Sequence, residues 1–212
     1  MTETEILFTS ADSALRFAFS YSTQQYSPTP MARAMRGGNV GTGKGLVGVD
    51  GAGQAGMIQA ELKEFSELDR SLLIAQFAPV ELPCDCTRAC CSGNRPNVEW
   101  ADAISYLTDH TTYLFAGHLS SYRLRRTLVE RHFGAHRDIH GKKLTIERLA
   151  QQCEIHRQTV STHHQKLMAY FRGTKGVNGS VGVQAIALQR ANELLRDRGL
   201  VGEVDAMLAI ST

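Results

Sequence analysis

Six side chains between residues 156 and 165 have the types and spacing to hydrogen-bond with the edges of nucleic-acid bases. They are His156, Arg157, Gln158, Ser161, Thr162 and Gln165. Arg pairs with guanine through two parallel bonds, Gln pairs with adenine, and a Thr methyl meets the methyl of thymine. Steps of one, three and four residues put such side chains on one side of a helix. A second set has different chemistry. Cys84, Cys86, Cys90 and Cys91 crowd into residues 84–91, and thiolates so close together suit a soft metal ion.

The first set needs a helix held at a fixed angle, and the preceding residues supply one. Thr145 stands where an N-cap belongs, with a hydroxyl for a free backbone N–H of the first turn. Glu147 puts negative charge near the positive end of that helix. Leu149 and Ala150 face inward, and the small Ala150 suits the closest approach of two crossing helices. Cys153 and Ile155 bracket a turn, and Val160 packs the second helix back on the first. The pattern over residues 142–165 is that of a helix-turn-helix, which offers the N-terminal half of its second helix to the major groove. Two positions depart from it. Glu154 stands where glycine is usual, so it is expected either to adopt a positive φ at a cost or to sit in a variant turn. His163 stands where the second helix is usually apolar. The plain alternative is two amphipathic helices of a bundle, but the small residue, the polar face and the basic setting together favour DNA.

Charge is unevenly spread. Residues 1–117 carry 8 Lys and Arg against 13 Asp and Glu, residues 118–175 carry 12 against 4, and residues 176–212 carry 3 against 4. The positive excess surrounds the motif, where phosphate neutralisation would need it. A basic helix over residues 121–134 is expected to bury Leu124, Leu128 and Phe133 and to keep Arg123, Arg126 and Arg131 solvated or on phosphates, and the group of Arg123, Arg125 and Arg126 with Tyr122 is best explained by phosphate contact. Lys142, Lys143 and Lys166 are phosphate candidates too, as are Arg172 and Lys175. A basic face is often merely solvated. Adjacency to the motif favours phosphate contact here.

For the cysteines, two readings stand side by side. In a reducing compartment clustered thiols are metal ligands before they are disulfides, and zinc takes four in a tetrahedron. Cys84, Cys86, Cys90 and Cys91 would be that set, with His110 or His118 able to replace one. The spacing C-x-C-x₃-C-C lacks the CxxC knuckle, and adjacent thiols ligate one ion poorly. The alternative is an inert loop in which Cys90 or Cys91 is a small buried hydrophobe. No Ser/His/Asp or paired-carboxylate constellation stands out, so catalysis is not expected.

The fold expected is mainly α: a helical bundle with a C-terminal helix-turn-helix and a Gly-rich flexible N-terminal arm. Helices are expected over 11–21, 57–77, 98–116 and 181–198, besides those of the motif, with Gly134 and Gly199 as C-caps. Four segments follow: 1–56 with a helix and the arm, 57–117 helical with the cysteines, 118–175 basic and DNA-binding, and 176–212 closing helices. Residues 22–56 are Ser/Thr/Gln/Pro-rich and then Gly-dense, a composition hard to order alone. Residues 38–45 within them approach a phosphate-binding loop. The position after Lys44 is Gly45 instead of Ser or Thr, and no apolar strand precedes it, which argues against a nucleotide site. Arg33, Arg36 and Lys44 suit an arm that touches nucleic acid or protein. No stretch approaches the ~20 apolar residues of a membrane span. The acidic start, Met1 to Glu5, is unlike a secretory leader, so a cytoplasmic location is expected.

Residues 119–171, with the basic helix, Leu144 to Ala150 and His156 to Ser161, resemble the DNA-binding region 4 of bacterial sigma factors. The wider layout, a cysteine cluster ahead of a helical DNA-binding part, resembles phage late-gene regulators of the Q antitermination type. Zinc-bearing members of that family use CxxC pairs, which this chain does not have. The resemblance implies a sequence-specific transcription regulator that docks on DNA near a late promoter. It further implies that the protein engages RNA polymerase and its sigma factor and carries the enzyme through terminators. Two alternatives remain open: a dimeric helix-turn-helix repressor or activator, and a recombinase-type DNA enzyme. The second needs a nucleophilic Ser or Tyr among clustered Arg, and none is identified. The DNA sequence bound and the oligomeric state stay open.

Overall fold

The structure is a computed structural model. It describes residues 8–25, 49–84, 86, 93–116, 121–136, 141–176 and 179–202. The fold is mainly helical, with eight α-helices among those residues. They are α1 (Ala11–Gln25), α2 (Val49–Glu61), α3 (Glu67–Phe77), α4 (Val98–His110), α5 (Tyr122–His132), α6 (Ile146–Cys153), α7 (Arg157–Arg172) and α8 (Val183–Asp197). Short 3₁₀ turns follow α2 and α4, at Leu62–Glu64 and Thr111–Phe115. Two short strands, β1 (Glu81–Pro83) and β2 (Asn94–Pro96), pair with each other. No helix among the described residues is long and apolar enough to cross a membrane.

The chain divides into two compact units that its path visits alternately. The first takes Met1–Phe65, Glu81–Arg95 and Leu188–Thr212, and the second takes Ser66–Val80 and Pro96–Ala187. In the first, α1 packs on α2. Ala14, Leu15 and Ala18 are fully buried, as is Ile58 across from them. Gln59 ties the pair by donating to the Ala18 carbonyl at 3.1 Å. Phe17 sits between Phe8 and Tyr21, with ring centroids 5.2 and 5.3 Å away.

The second unit is built on capped helices. α3 to α7 each begin on a side chain that accepts a first-turn N–H: Ser66, Asn97, Ser121, Thr145 and His156. Such a cap satisfies one of the donors that a helix start leaves unpaired. α3 and α4 pack together, α4 on α5, and α5 on both α6 and α7. Trp100 locks the first pair, donating from its indole to the Ala75 carbonyl at 3.1 Å. Leu72, Ile104, Leu107, Leu124, Leu128, Leu149, Leu167 and Phe171 fill the core.

Two expectations need correction. The helix expected over 57–77 is two helices. Ser66 accepts from Asp69 N–H at 3.1 Å and donates to its carboxylate at 2.9 Å, and this local pairing restarts the chain. The Gly-rich stretch 22–56 is helical at both ends, since α1 runs to Gln25 and α2 starts at Val49. Residues 26–48, with the phosphate-loop-like run, lie outside the described residues. In α8 the fully buried stripe is Ala187, Ala191 and Leu195, and the larger Ile186, Leu188 and Leu194 are only half-buried.

Candidate nucleic-acid interface

α6 and α7 are joined by three residues, Glu154, Ile155 and His156. Glu154 ends α6 in the left-handed region, at φ 55 and ψ 37, so the first of the two expected turn geometries is adopted. Ile155 N–H donates to the Ala150 carbonyl at 3.0 Å. This closure is the usual C-cap of a helix, here made without glycine. Glu154 is the one non-glycine residue at positive φ among those described.

The facing sides are apolar. Leu149 and Val160 are fully buried and Ala150 nearly so. Along α7 the buried positions are Val160, His163, Leu167 and Phe171, a helical stripe. His163 takes the apolar place because its ring packs on Phe115, with centroids 4.6 Å apart.

Opposite that stripe, Arg157, Gln158, Thr162 and Gln165 are exposed, and Ser161 and Lys166 are half-exposed. Each is held differently. His156 Nδ1 accepts from Gln158 N–H at 3.2 Å, which makes His156 the cap of α7 as well as an exposed ring. Thr162 donates its hydroxyl to the Gln158 carbonyl at 3.0 Å, leaving its methyl as the outward group. Arg157 Nε meets Glu147 Oε1 at 2.7 Å. The Glu147 carboxylate lies below the usual range because its own backbone N–H, and then Arg157, bind the charged form. Thr145 caps α6 through Arg148 N–H at 3.2 Å. Lys142 and Lys143 are exposed just ahead of the buried Leu144.

The arginines of α5 part company. Arg123 is exposed. Arg125 is interior, 6% exposed, and donates to the Thr108 carbonyl at 2.8 Å, so its expected place on phosphate is corrected to a core role. Arg126 binds Glu130 at 2.9 Å and Ser105 at 3.0 Å. Its pKa is raised, chiefly by the bond to Glu130. One guanidinium is thus buried, one bridges to α4, and one is exposed.

The cysteines lie between β1 and β2. Cys84 is half-buried and Cys86 exposed, and Cys84 N–H donates to the Gly93 carbonyl at 2.8 Å, drawing the two ends of the run together. Cys90, Cys91 and His118 lie outside the described residues. His110 Nε2 lies 3.0 Å from the Tyr170 hydroxyl. Among the described residues no three ligating side chains cluster.

Sequence reasoning missed the Glu147–Arg157 pair, although opposite charges in the first turns of consecutive helices are a visible signal. It also missed the groove that His164, Met168, Arg172 and Lys175 help to line. No protein-family model matches the chain, and neither a curated protein nor a solved structure matches it.

Proposed function

We propose that α6, the Glu154 turn and α7 form a helix-turn-helix that binds double-stranded DNA in a sequence-specific way. The observation that carries this reading is the exposed polar face at the start of α7, held across α6 by a three-residue turn, in the most basic part of the chain. Arg157, Gln158, Ser161, Thr162 and Gln165 contact base edges. Lys142, Lys143, Arg123 and Lys166 neutralise phosphates. His156 both starts α7 and offers Nε2 outward. Arg126 contributes by steadying α5, with its remaining N–H groups toward phosphate.

The regulator acts on transcription, and antitermination with RNA polymerase and sigma factor as partners is the form favoured by the resemblance of residues 119–171 to sigma region 4. In-vitro transcription across a terminator, with the protein's own upstream DNA, tests this. Read-through that depends on α7 supports it, and unchanged termination ends it. Zinc belongs to the same proposal. The closure of Cys84 onto Gly93 supports a structural ion held by Cys84 and Cys86, with Cys90 and Cys91 as further thiolates. Metal analysis of the purified chain checks this, and a metal-free folded protein removes it.

A further inference from the structure

Past its exposed polar face, α7 runs into a groove of about 470 Å³. His164, Gln165 and Arg172 line it with Met168 and Ala169, and Lys175 closes it from the turn beyond the helix. None of the described residues lining it is acidic.

Among the described residues, no ion pair joins Arg131, Arg172 or Lys175 to a carboxylate. Burial and then the positive charges of Arg131 and Arg172 push the His164 imidazole down. Arg172 bears in the same sense on His132. Arg131 Nη1 is buried with no hydrogen-bond partner among the described residues. A cationic cluster without a carboxylate is complementary to an anion.

The backbone that carries Lys175 is fixed. Gly173 has φ +81, and a Cβ there would run into the Ser180 carbonyl oxygen and the Gly182 nitrogen. Thr174 N–H donates to the Ser180 carbonyl at 3.0 Å. Glycine lets these strands of chain touch, and the closure keeps Lys175 near the end of α7.

The groove is continuous with the base-contacting face, because Gln165 belongs to both. From Arg157 to Arg172 is about 22 Å at 1.5 Å per residue. The major groove is about 12 Å wide. A helix whose first turns enter it must carry its last turns over the DNA backbone.

We propose that this groove seats a phosphodiester strand, the one flanking the bases that α7 contacts. Sugar faces lie on Met168 and Ala169, and phosphates meet Arg172 and Lys175. The proposal rests on the DNA reading of α6 and α7.

The test uses the full chain and a labelled ~30-base-pair duplex of random sequence, titrated by anisotropy between ~50 and ~200 mM salt. Replacing both cations (Arg172→Ala with Lys175→Ala) is expected to weaken binding about tenfold at low salt. The slope of log affinity against log salt should fall by about 1.8, two phosphate contacts' worth. Arg172→Lys keeps the slope. Both residues are exposed, so thermal melts should match the wild type. An unchanged slope in the double variant overturns the proposal. A melt raised by inorganic pyrophosphate, and lost in the double variant while the duplex slope stays unchanged, assigns a free anion and overturns it too. Wild-type chain that binds no duplex at all overturns the DNA reading first and the groove with it.

Discussion

Arg157 Nε lies 2.7 Å from Glu147 Oε1, joining the first turn of α7 to the first turn of α6. Both side chains are more than half exposed, so the pair adds little to folding. Its consequence is orientation. With Nε engaged, the proposed complex uses the two terminal nitrogens of Arg157 for a guanine edge.

Arg157→Ala is therefore expected to cost about 1–3 kcal/mol on the preferred DNA site and to relax the preference at one base. Glu147→Ala should act in two directions. Losing a carboxylate beside DNA raises affinity for random duplex, and losing the brace lowers the ratio of specific to random binding. Competition binding of both variants checks this. Equal effects of Arg157→Ala on every sequence would remove Arg157 from the base-contacting set.

Lys143 is exposed ahead of α6, and in the proposed complex it meets phosphate and not a base edge. Lys143→Ala should weaken all duplexes alike and lower the salt slope by about 0.9. A change confined to one sequence would contradict the phosphate role.

Glu154 holds the left-handed turn at φ 55, a conformation costing a residue with a Cβ about 1–2 kcal/mol. Glu154→Gly should leave stability equal or raise it by up to about 1 kcal/mol, and Glu154→Val should lower it by about 1–2 kcal/mol. Chemical denaturation measures both. A destabilising glycine would mean that the Glu154 side chain makes a contact worth more than the strain.

His132 makes the fold sensitive to acid. Burial pushes its imidazole down to about 4, where its ring stacks on Phe171 and Nε2 meets Gln184 Oε1 at 2.7 Å. In the unfolded chain the same group takes up its proton near 6.5. Between those values the unfolded state binds the proton and the folded state does not. The stability is thus fully present above pH 6.5 and is lost as pH falls toward 4, by about 3 kcal/mol in all. His164, also lowered, adds in the same sense. Denaturation at pH 7.5 and 5 should show a loss of about 2 kcal/mol that His132→Gln reduces. An equal pH slope in that variant would contradict the assignment.

The helices of the second unit were legible because their signals are local. Caps such as Thr145 and Ser121 announce starts, and the positive φ of Glu154 follows from a turn that needs it. The Ser66 restart was written in Ser66 and Asp69 but hidden by the apolar rhythm running through it. Arg125 could not be placed from sequence. In sequence it is one of several arginines on a basic helix, and only the packing of α5 on α4 brings it to the Thr108 carbonyl. The same holds for the groove, whose cations come from the end of α7 and from the glycine turn after it. The exposed face of α7 was readable because helical spacing alone separates it from Val160, Leu167 and Phe171.

The central claim is that α7 distinguishes base pairs. Selection of binding sites from a random duplex library by the full chain, followed by affinities for the selected site and a scrambled one, tests it most directly. The account predicts an enriched motif bound roughly a thousandfold or more tighter than the scramble, with Arg157→Ala collapsing most of that ratio. No enrichment, with equal affinity for both duplexes, would contradict it.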